Sequence, residues 1–209
     1  MAQNRSTAVM QRRSEPHDSL DDFPTPPWAT RALIEHVIYP EAVEGDSCWE
    51  PACNRGYMAR PLREYFGTVL ASDIHDYGWD GQDCVADFLF PGSEPSNGVD
   101  WIITNPPFRL AEQFIQRASE IAKVGYAVIA RSAFLEGIGR YENLFKVKPP
   151  SIVAQFVERV PMVKGKYDPN APTATSYVWL VWFVGTETNN PDLVWIPPCR
   201  KGLERKDDV

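Results

Sequence analysis

The chain has 209 residues and a formal net charge of -7, with 44% hydrophobic and 12% aromatic content. These values predict one substantial core, so we expect a single domain over 23–198, a disordered tail over 1–22 and a polar tail over 199–209. Its four cysteines and three histidines lack metal-ligand spacing, and the chain contains neither an export signal nor a membrane-length apolar run, which favours a cytoplasmic protein without a metal.

Opposite charges concentrate in different parts of the chain. Residues 15–100 contain 17 acidic and 4 basic side chains, whereas residues 109–166 contain 10 basic and 5 acidic ones. A locally basic segment in an acidic protein is typical of a surface that faces phosphates. The alternative is ordinary scatter of surface charge.

Helical and strand patterns alternate along the chain. Apolar periodicity predicts helices at 30–39, 57–66, 109–123 and 140–145. Short apolar runs predict strands at 47–50, 68–72, 82–88, 99–104, 126–130, 152–157 and 177–184. This alternation predicts an α/β fold with a mostly parallel sheet covered on both faces, in which ligands bind at the carboxyl ends of the strands.

Polar residues follow the first three strands at this edge. Segment 50–56, from Glu50 to Gly56, has the single glycine of a tight turn and not the G-x-G-x-x-G pattern, which disfavours NAD. Asp73 is placed to accept hydrogen bonds from ribose hydroxyls, with helix capping as the alternative. Asp87 and Phe88 could bind and stack an adenine ring, with a turn or cap as the alternative.

The fourth strand ends in Asn105-Pro106-Pro107-Phe108. The Asn105 amide oxygen and the Pro106 carbonyl offer two acceptors to one NH2 group, and the two prolines fix the backbone that holds them. Phe108 offers a ring on which a base could stack. This pattern predicts methylation of a planar amino nitrogen, whereas a rigid turn is the simpler interpretation.

The order of these motifs resembles a known family. Segment 23–27 (Phe-Pro-Thr-Pro-Pro), segment 50–53, Asp73, Asp87 and the Asn-Pro-Pro-Phe motif are arranged as in the class I S-adenosylmethionine-dependent methyltransferases, in the branch that methylates adenine N6 in DNA. Segments 131–137 and 177–182 are similar to stretches of its small phage and prophage members. The resemblance implies a Rossmann-like class I methyltransferase fold, a mostly parallel central sheet with a C-terminal antiparallel hairpin, and S-adenosylmethionine as cofactor.

The resemblance also implies a role for each motif. Asp73 would bind the ribose, Asp87 and Phe88 the adenine, and Phe23 with Thr25 the carboxylate end of the cofactor. The methionine moiety would lie against Glu50, Pro51, Ala52, Asn54 and Gly56. The catalytic residues would be Asn105, Pro106, Pro107 and Phe108. Asn54 stands where the family usually has glycine; asparagine tolerates a positive φ, but its side chain takes space beside the cofactor and could weaken binding or activity.

The implied substrate is adenine in DNA, flipped out of the duplex. Arg109 and the loop Lys164-Gly165-Lys166-Tyr167 are candidate nucleic-acid contacts, and a simple hairpin connection is the alternative for the loop. About sixty residues after position 146 leave no room for a separate recognition domain, so specificity would be short or supplied by a partner. Adenine in RNA, a protein glutamine, or a catalytically silent binding module are alternative functions, and the oligomeric state is left open.

Overall fold

The computed structural model describes residues 21–186 and 188–208, so nearly all of the expected tail over 1–22 lies outside the described residues. Five α-helices are present in this part of the chain: α1 Pro27–Leu33, α2 Ala59–Leu62, α3 Ala111–Ile121, α4 Ile138–Arg140 and α5 Arg200–Leu203. A π-helical turn extends α1 through Ile34–Ile38, and another extends α4 through Tyr141–Phe145. Pro27 is the first residue of α1. A backbone N–H at this position would have no partner within the helix, so proline loses no hydrogen bond there.

Eight strands form one sheet in the described part of the chain. They are β1 Ser47–Glu50, β2 Thr68–Asp73, β3 Cys84–Val85, β4 Val99–Thr104, β5 Ala122–Arg131, β6 Ile152–Phe156, β7 Tyr177–Phe183 and β8 Asp192–Ile196. Their order is β3-β2-β1-β4-β5-β7-β6-β8. Strands β1 to β5 are parallel, and β7 is antiparallel to both β5 and β6. The predicted α/β class, with a mostly parallel sheet and a C-terminal antiparallel hairpin, is confirmed.

Both faces of the sheet are covered. Alternate residues of β7 belong to two different apolar clusters, with Tyr177 and Trp179 on one face and Leu180 and Trp182 on the other. The continuous apolar sequence of this strand follows from its position between two layers. Helix α3 packs Ala111, Phe114, Ile115 and Ala118 into the core, as its amphipathic pattern predicts.

The topology gives the position of a ligand site. Strand β2 pairs with β1 along one edge, and β4 pairs with β1 along the other edge. The strand order therefore reverses at β1, and a crevice forms outside the carboxyl ends of β1 and β4. Glu50 is the last residue of β1, and Asn105 directly follows β4.

Some elements differ from the sequence prediction. The predicted helix over 57–66 is α-helical only over Ala59–Leu62, and the predicted strand over 82–88 pairs only at Cys84–Val85. Strand β8 was not predicted, although residues 193–196 form a short apolar run. It is an edge strand, with Leu193 and Trp195 59% and 61% exposed.

The segment after residue 198, expected to be a polar tail, is ordered over its described residues. It contains α5, and the Asp208 carboxylate is buried against the Arg31 guanidinium of α1 at 2.8 Å. No helix within 21–186 and 188–208 has the length and apolarity needed to cross a membrane. These same residues contain no group of three or more His, Cys, Asp or Glu side chains able to hold a metal ion.

Candidate functional site

A cleft lies at the carboxyl ends of β1, β2 and β4. It brings together residues from five separate parts of the sequence, all of which the motifs had singled out. These residues are Phe23, Thr25, Glu50, Pro51, Ala52, Asn54, Asp73, Asp87, Phe88, Asn105 and Pro107. The remaining predicted residues, Gly56, Pro106, Phe108, Arg109 and the loop Lys164-Gly165-Lys166-Tyr167, do not line this cleft.

Glu50 is a buried acid at the base of the cleft. Its Oε1 accepts hydrogen bonds from the Thr104 hydroxyl at 2.6 Å and the Ala52 amide at 3.1 Å. Its Oε2 is buried and has no hydrogen-bond partner among the described residues. Burial raises the pKa of Glu50 to about 8, and the nearby Asp73 carboxylate adds to this effect. An unpartnered carboxyl oxygen in a cleft is a candidate contact for a cation or an N–H donor.

Asp73 ends β2 on the same side of the sheet. Its two carboxylate oxygens accept hydrogen bonds from the Asn54 amide and the His75 amide, both at 3.0 Å. Burial raises the pKa of Asp73, and these amides partly oppose the shift. Each carboxylate oxygen can accept a second hydrogen bond, so Asp73 has the capacity to bind a pair of hydroxyl groups.

Asn54 adopts the positive φ expected for its turn, at 49°. Its side chain has partners within the protein: Nδ2 donates to Asp22 at 2.6 Å, and Oδ1 accepts from the Arg55 amide at 2.7 Å. The Asp22 carboxylate also forms an ion pair with Arg55 Nη1 at 2.9 Å. Asn54 therefore connects the turn after β1 to the segment that precedes α1, which the sequence pattern did not indicate.

Asn105 is held by the residues before α1. Its Nδ2 donates to the Phe23 carbonyl at 2.9 Å and to the Thr25 hydroxyl at 3.0 Å. A carbonyl oxygen can only accept, so this contact assigns the NH2 group of Asn105 to that side. The amide oxygen is left on the other side as an acceptor. Phe23 and Thr25, expected at the carboxylate end of a cofactor, thus also orient Asn105.

Phe88 and Gly56 have packing contacts that the sequence analysis did not predict. Phe88 was expected to stack on adenine, yet it is 2% exposed and packs between Trp49 and Phe114, with centroids at 5.1 and 4.8 Å. Gly56 was expected in a tight turn, and its φ of 78° agrees with such a turn. A Cβ atom there would lie 2.4 Å from the Trp79 indole, so packing against Trp79 requires the glycine.

A second pocket lies on the other side of the Asn-Pro-Pro-Phe motif. Pro106 and Phe108 line it, together with residues from β5 and the turn that follows it. The Phe108 ring packs on Phe23 at 5.2 Å, and the Arg131 guanidinium lies 4.0 Å from the Phe108 centroid. Phe108 is thus half-buried between two side chains, and its amide donates to the Asp21 carboxylate at 2.5 Å.

The predicted nucleic-acid loop lies beside the segment that precedes α1. The Gly165 amide donates to the Asp22 carbonyl at 2.8 Å, and Lys166 pairs with Asp168 at 3.1 Å. Tyr167 donates to Glu204 at 3.1 Å, and its ring packs on Tyr57 at 5.4 Å. Tyr57 in turn lines the first cleft, so this loop borders that cleft without entering it.

Several cleft residues had no signal in the sequence analysis. Ile74, directly after Asp73, is 64% exposed, and Leu110 is 37% exposed; both line the cleft. Tyr77 lines it as well, with the Arg55 guanidinium 5.0 Å from its ring centroid. Ile74 directly follows Asp73 at the carboxyl end of β2, and this position in the sequence is a signal that could have placed it at the cleft.

Two solved archaeal structures share this architecture. A candidate RNA methyltransferase from Pyrococcus horikoshii superimposes with a TM-score of 0.60 at 16% identity, over 82% of this chain and 90% of that one. A Thermoplasma acidophilum protein superimposes with a TM-score of 0.52 at 21% identity, over 75% and 88%. No protein-family model and no curated protein matches the sequence. The chain therefore has the Rossmann-like fold found in methyltransferases.

Proposed function

We propose that the protein is an S-adenosylmethionine-dependent methyltransferase that acts on the N6 amino group of adenine in DNA. The observation that carries this proposal is the orientation of Asn105, whose NH2 group is bound by Phe23 and Thr25. Its amide oxygen is thereby left as an acceptor at the wall between the two pockets. A rigid turn residue would need no such orientation.

The first cleft fits the proposed cofactor. S-adenosylmethionine presents an ammonium group and a ribose diol, and the cleft presents the unpartnered Glu50 oxygen and the Asp73 carboxylate. Glu50 would accept from the ammonium group, Asp73 would accept from the diol, and Ile74 and Leu110 would cover apolar surface. When bound, the cofactor supplies an electrophilic methyl group on its sulfonium.

Asn105 would act on the acceptor base. An exocyclic amino nitrogen delocalises its lone pair into the ring and is a poor nucleophile. The Asn105 oxygen and the Pro106 carbonyl would accept its two hydrogens, hold the nitrogen in place and stabilise positive charge that develops on it. Pro106 and Pro107 restrict the backbone, so these acceptors would need little reorganisation. Phe108 would contact the base by its ring.

Two observations bear on the substrate. The basic residues of 109–166 favour a nucleic acid, and the resemblance of the motif order favours DNA. Adenine in RNA is the second candidate, because the Pyrococcus horikoshii protein with the same fold is a candidate RNA methyltransferase. The same pair of acceptors could bind a glutamine amide, so a protein substrate belongs in the same assay.

Labelled S-adenosylmethionine, offered with DNA, RNA and a glutamine peptide in parallel, tests the proposal. We expect label in DNA as N6-methyladenine, detected by mass spectrometry of digested nucleosides. Asn105→Ala should lower kcat by about 100-fold or more, while cofactor affinity measured by calorimetry stays within about twofold. Asn97→Ala, in an exposed loop, serves as the control.

Asn105→Asp refines the test. The carboxylate keeps an acceptor for the amino group, but its second oxygen faces the Phe23 carbonyl in place of an NH2 donor. We expect activity between those of the wild type and the alanine variant. Methyl transfer at the wild-type rate in Asn105→Ala would refute the proposed role, and a label found only in RNA or peptide would reassign the substrate.

A further inference from the structure

The second pocket has a charged residue whose function the fold does not explain. Arg131 is the last residue of β5 and is exposed, beside Phe134 and Phe108 in the pocket wall. Its guanidinium lies 4.0 Å from the Phe108 centroid and 5.9 Å from the Phe23 centroid. Within 21–186 and 188–208, no carboxylate forms an ion pair with it.

Arg140, the other arginine of this pocket, provides a contrast. Its Nη1 donates to the Phe134 and Glu136 carbonyls at 2.8 and 2.6 Å, and its Nε pairs with Glu112 at 3.2 Å. Through these bonds Arg140 stabilises the turn after β5. Arg131 forms no such bonds to carbonyls or carboxylates of the described residues, and it is directly paired with Tyr177 on the neighbouring strand β7.

This arrangement preorganises the Arg131 guanidinium. The Phe108 ring lies against one of its faces and Tyr177 is its neighbour on β7, whereas its N–H groups have no hydrogen-bond partner among the described residues. A planar, fixed guanidinium with open N–H groups matches the paired oxygens of a phosphate. Its contact with Phe108 places that phosphate next to the residue proposed to touch the base.

We propose that the second pocket binds the acceptor nucleotide and that Arg131 binds its phosphate. The inference rests on the proposed function and deepens it, because it assigns the acceptor as a nucleotide of a nucleic acid and not a free base or an amide side chain. Phe108 and Phe134 would line the base, and Arg131 would bind the phosphate joined to the same nucleotide. The Asn-Pro-Pro-Phe motif forms the partition, with Asn105 and Pro107 towards the first cleft and Pro106 and Phe108 towards this pocket.

Binding of adenosine and adenosine 5′-monophosphate tests the phosphate contact without methyl transfer. S-adenosylhomocysteine is added first at saturation so that neither probe occupies the first cleft. Calorimetry on the wild type should give about tenfold tighter binding of the monophosphate, the effect of a charged hydrogen-bonded pair. In Arg131→Ala this preference should vanish while adenosine affinity changes little. Arg131→Lys should keep part of it, because lysine retains the charge without the planar fork.

Lys123→Ala is the matched control. Lys123 is also exposed and basic and belongs to the same strand, but it lies near the amino end of β5, opposite Arg131. This variant should keep the preference for the monophosphate. A preference that persists in Arg131→Ala, or a wild type that does not distinguish the two probes, would overturn the inference.

The methyl-transfer assay separates this inference from the proposed function. If the wild type methylates DNA or RNA and Arg131→Ala has an unchanged KM for the nucleic acid, the phosphate contact is refuted and the methyltransferase assignment stands. If the wild type prefers the monophosphate but methylates no nucleic acid, the proposed function fails and the nucleotide site stands.

Discussion

Burial controls the protonation of Glu50. Its side chain is 1% exposed, and its pKa of about 8 keeps the carboxyl group protonated near neutral pH in the protein without a ligand. In the unfolded chain a glutamate has a pKa near 4.3 and is ionised over the same range, roughly pH 5 to 8. The folded state therefore binds one more proton there, and its stability falls as the pH rises through this window.

Glu50→Gln should remove this dependence. Glutamine approximates the protonated carboxyl in size and keeps an acceptor for Thr104, but it does not titrate. We expect the free energy of unfolding, measured by urea denaturation, to fall by up to about 1.4 kcal/mol per pH unit between about pH 5 and 8 in the wild type, and by less in the variant. Equal slopes in both proteins would refute a raised pKa of Glu50.

Single residues also show which features of the site could not be predicted from the sequence. The positive φ of Asn54 was predictable from its place in a turn after a strand. Its bond to Asp22 was not, because 32 residues separate the pair and no local pattern connects them. The packing of Trp79 against Gly56 is likewise a tertiary contact between residues in different loops.

At the scale of elements, strands buried on both faces were the most predictable. Strands β1 and β4 have the predicted bounds, since each is a short apolar run between turn residues. Glu50, the last residue of β1, and Asn105, which directly follows β4, therefore lie at the predicted edge of the sheet. Segment 21–25, which orients Asn105, contains no helix or strand. It therefore has no apolar periodicity from which its packing could be predicted.

Segment 21–25 connects the turn after β1 to the turn after β4. Asp22 binds Asn54 in the turn after β1, while Phe23 and Thr25 bind Asn105 after β4. Thr25→Val keeps the shape of this buried side chain and removes one acceptor from the Asn105 amide. We expect kcat to fall by about fivefold to tenfold, from a lost hydrogen bond of about 1 kcal/mol or slightly more, with little change in cofactor affinity.

Two further variants make the Thr25 prediction specific. Thr25→Ser retains a hydroxyl and should recover most of the wild-type kcat. Thr30→Val changes a buried threonine of α1 whose hydroxyl has no hydrogen-bond partner among the described residues, and it should leave kcat unchanged. If Thr25→Val and Thr25→Ser lose activity equally, the hydroxyl does not position Asn105.

At the scale of the whole molecule, a buried ion pair joins the two ends of the described chain. Arg31 of α1 binds Asp208 with two hydrogen bonds at 2.8 Å and binds Glu64 after α2 through Nε and Nη2. Arg31 and Asp208 are 3% and 5% exposed. Helix α1 follows the segment that orients Asn105, so this ion pair fixes the element from which that segment extends.

Asp208→Asn tests how strongly this ion pair holds the fold. The substitution leaves the Arg31 guanidinium buried with a neutral partner, although Glu64 still balances its charge. We expect the free energy of unfolding in urea to fall by about 2 to 4 kcal/mol, somewhat below the loss for a buried charge left without any partner. Asp207→Asn, one residue earlier and exposed, should change it by less than about 0.5 kcal/mol. Equal stability of the two variants would mean that the Arg31–Asp208 ion pair does not stabilise the fold. At a temperature where Asp208→Asn remains folded, it should still bind the cofactor, because neither Arg31 nor Asp208 lines the cleft.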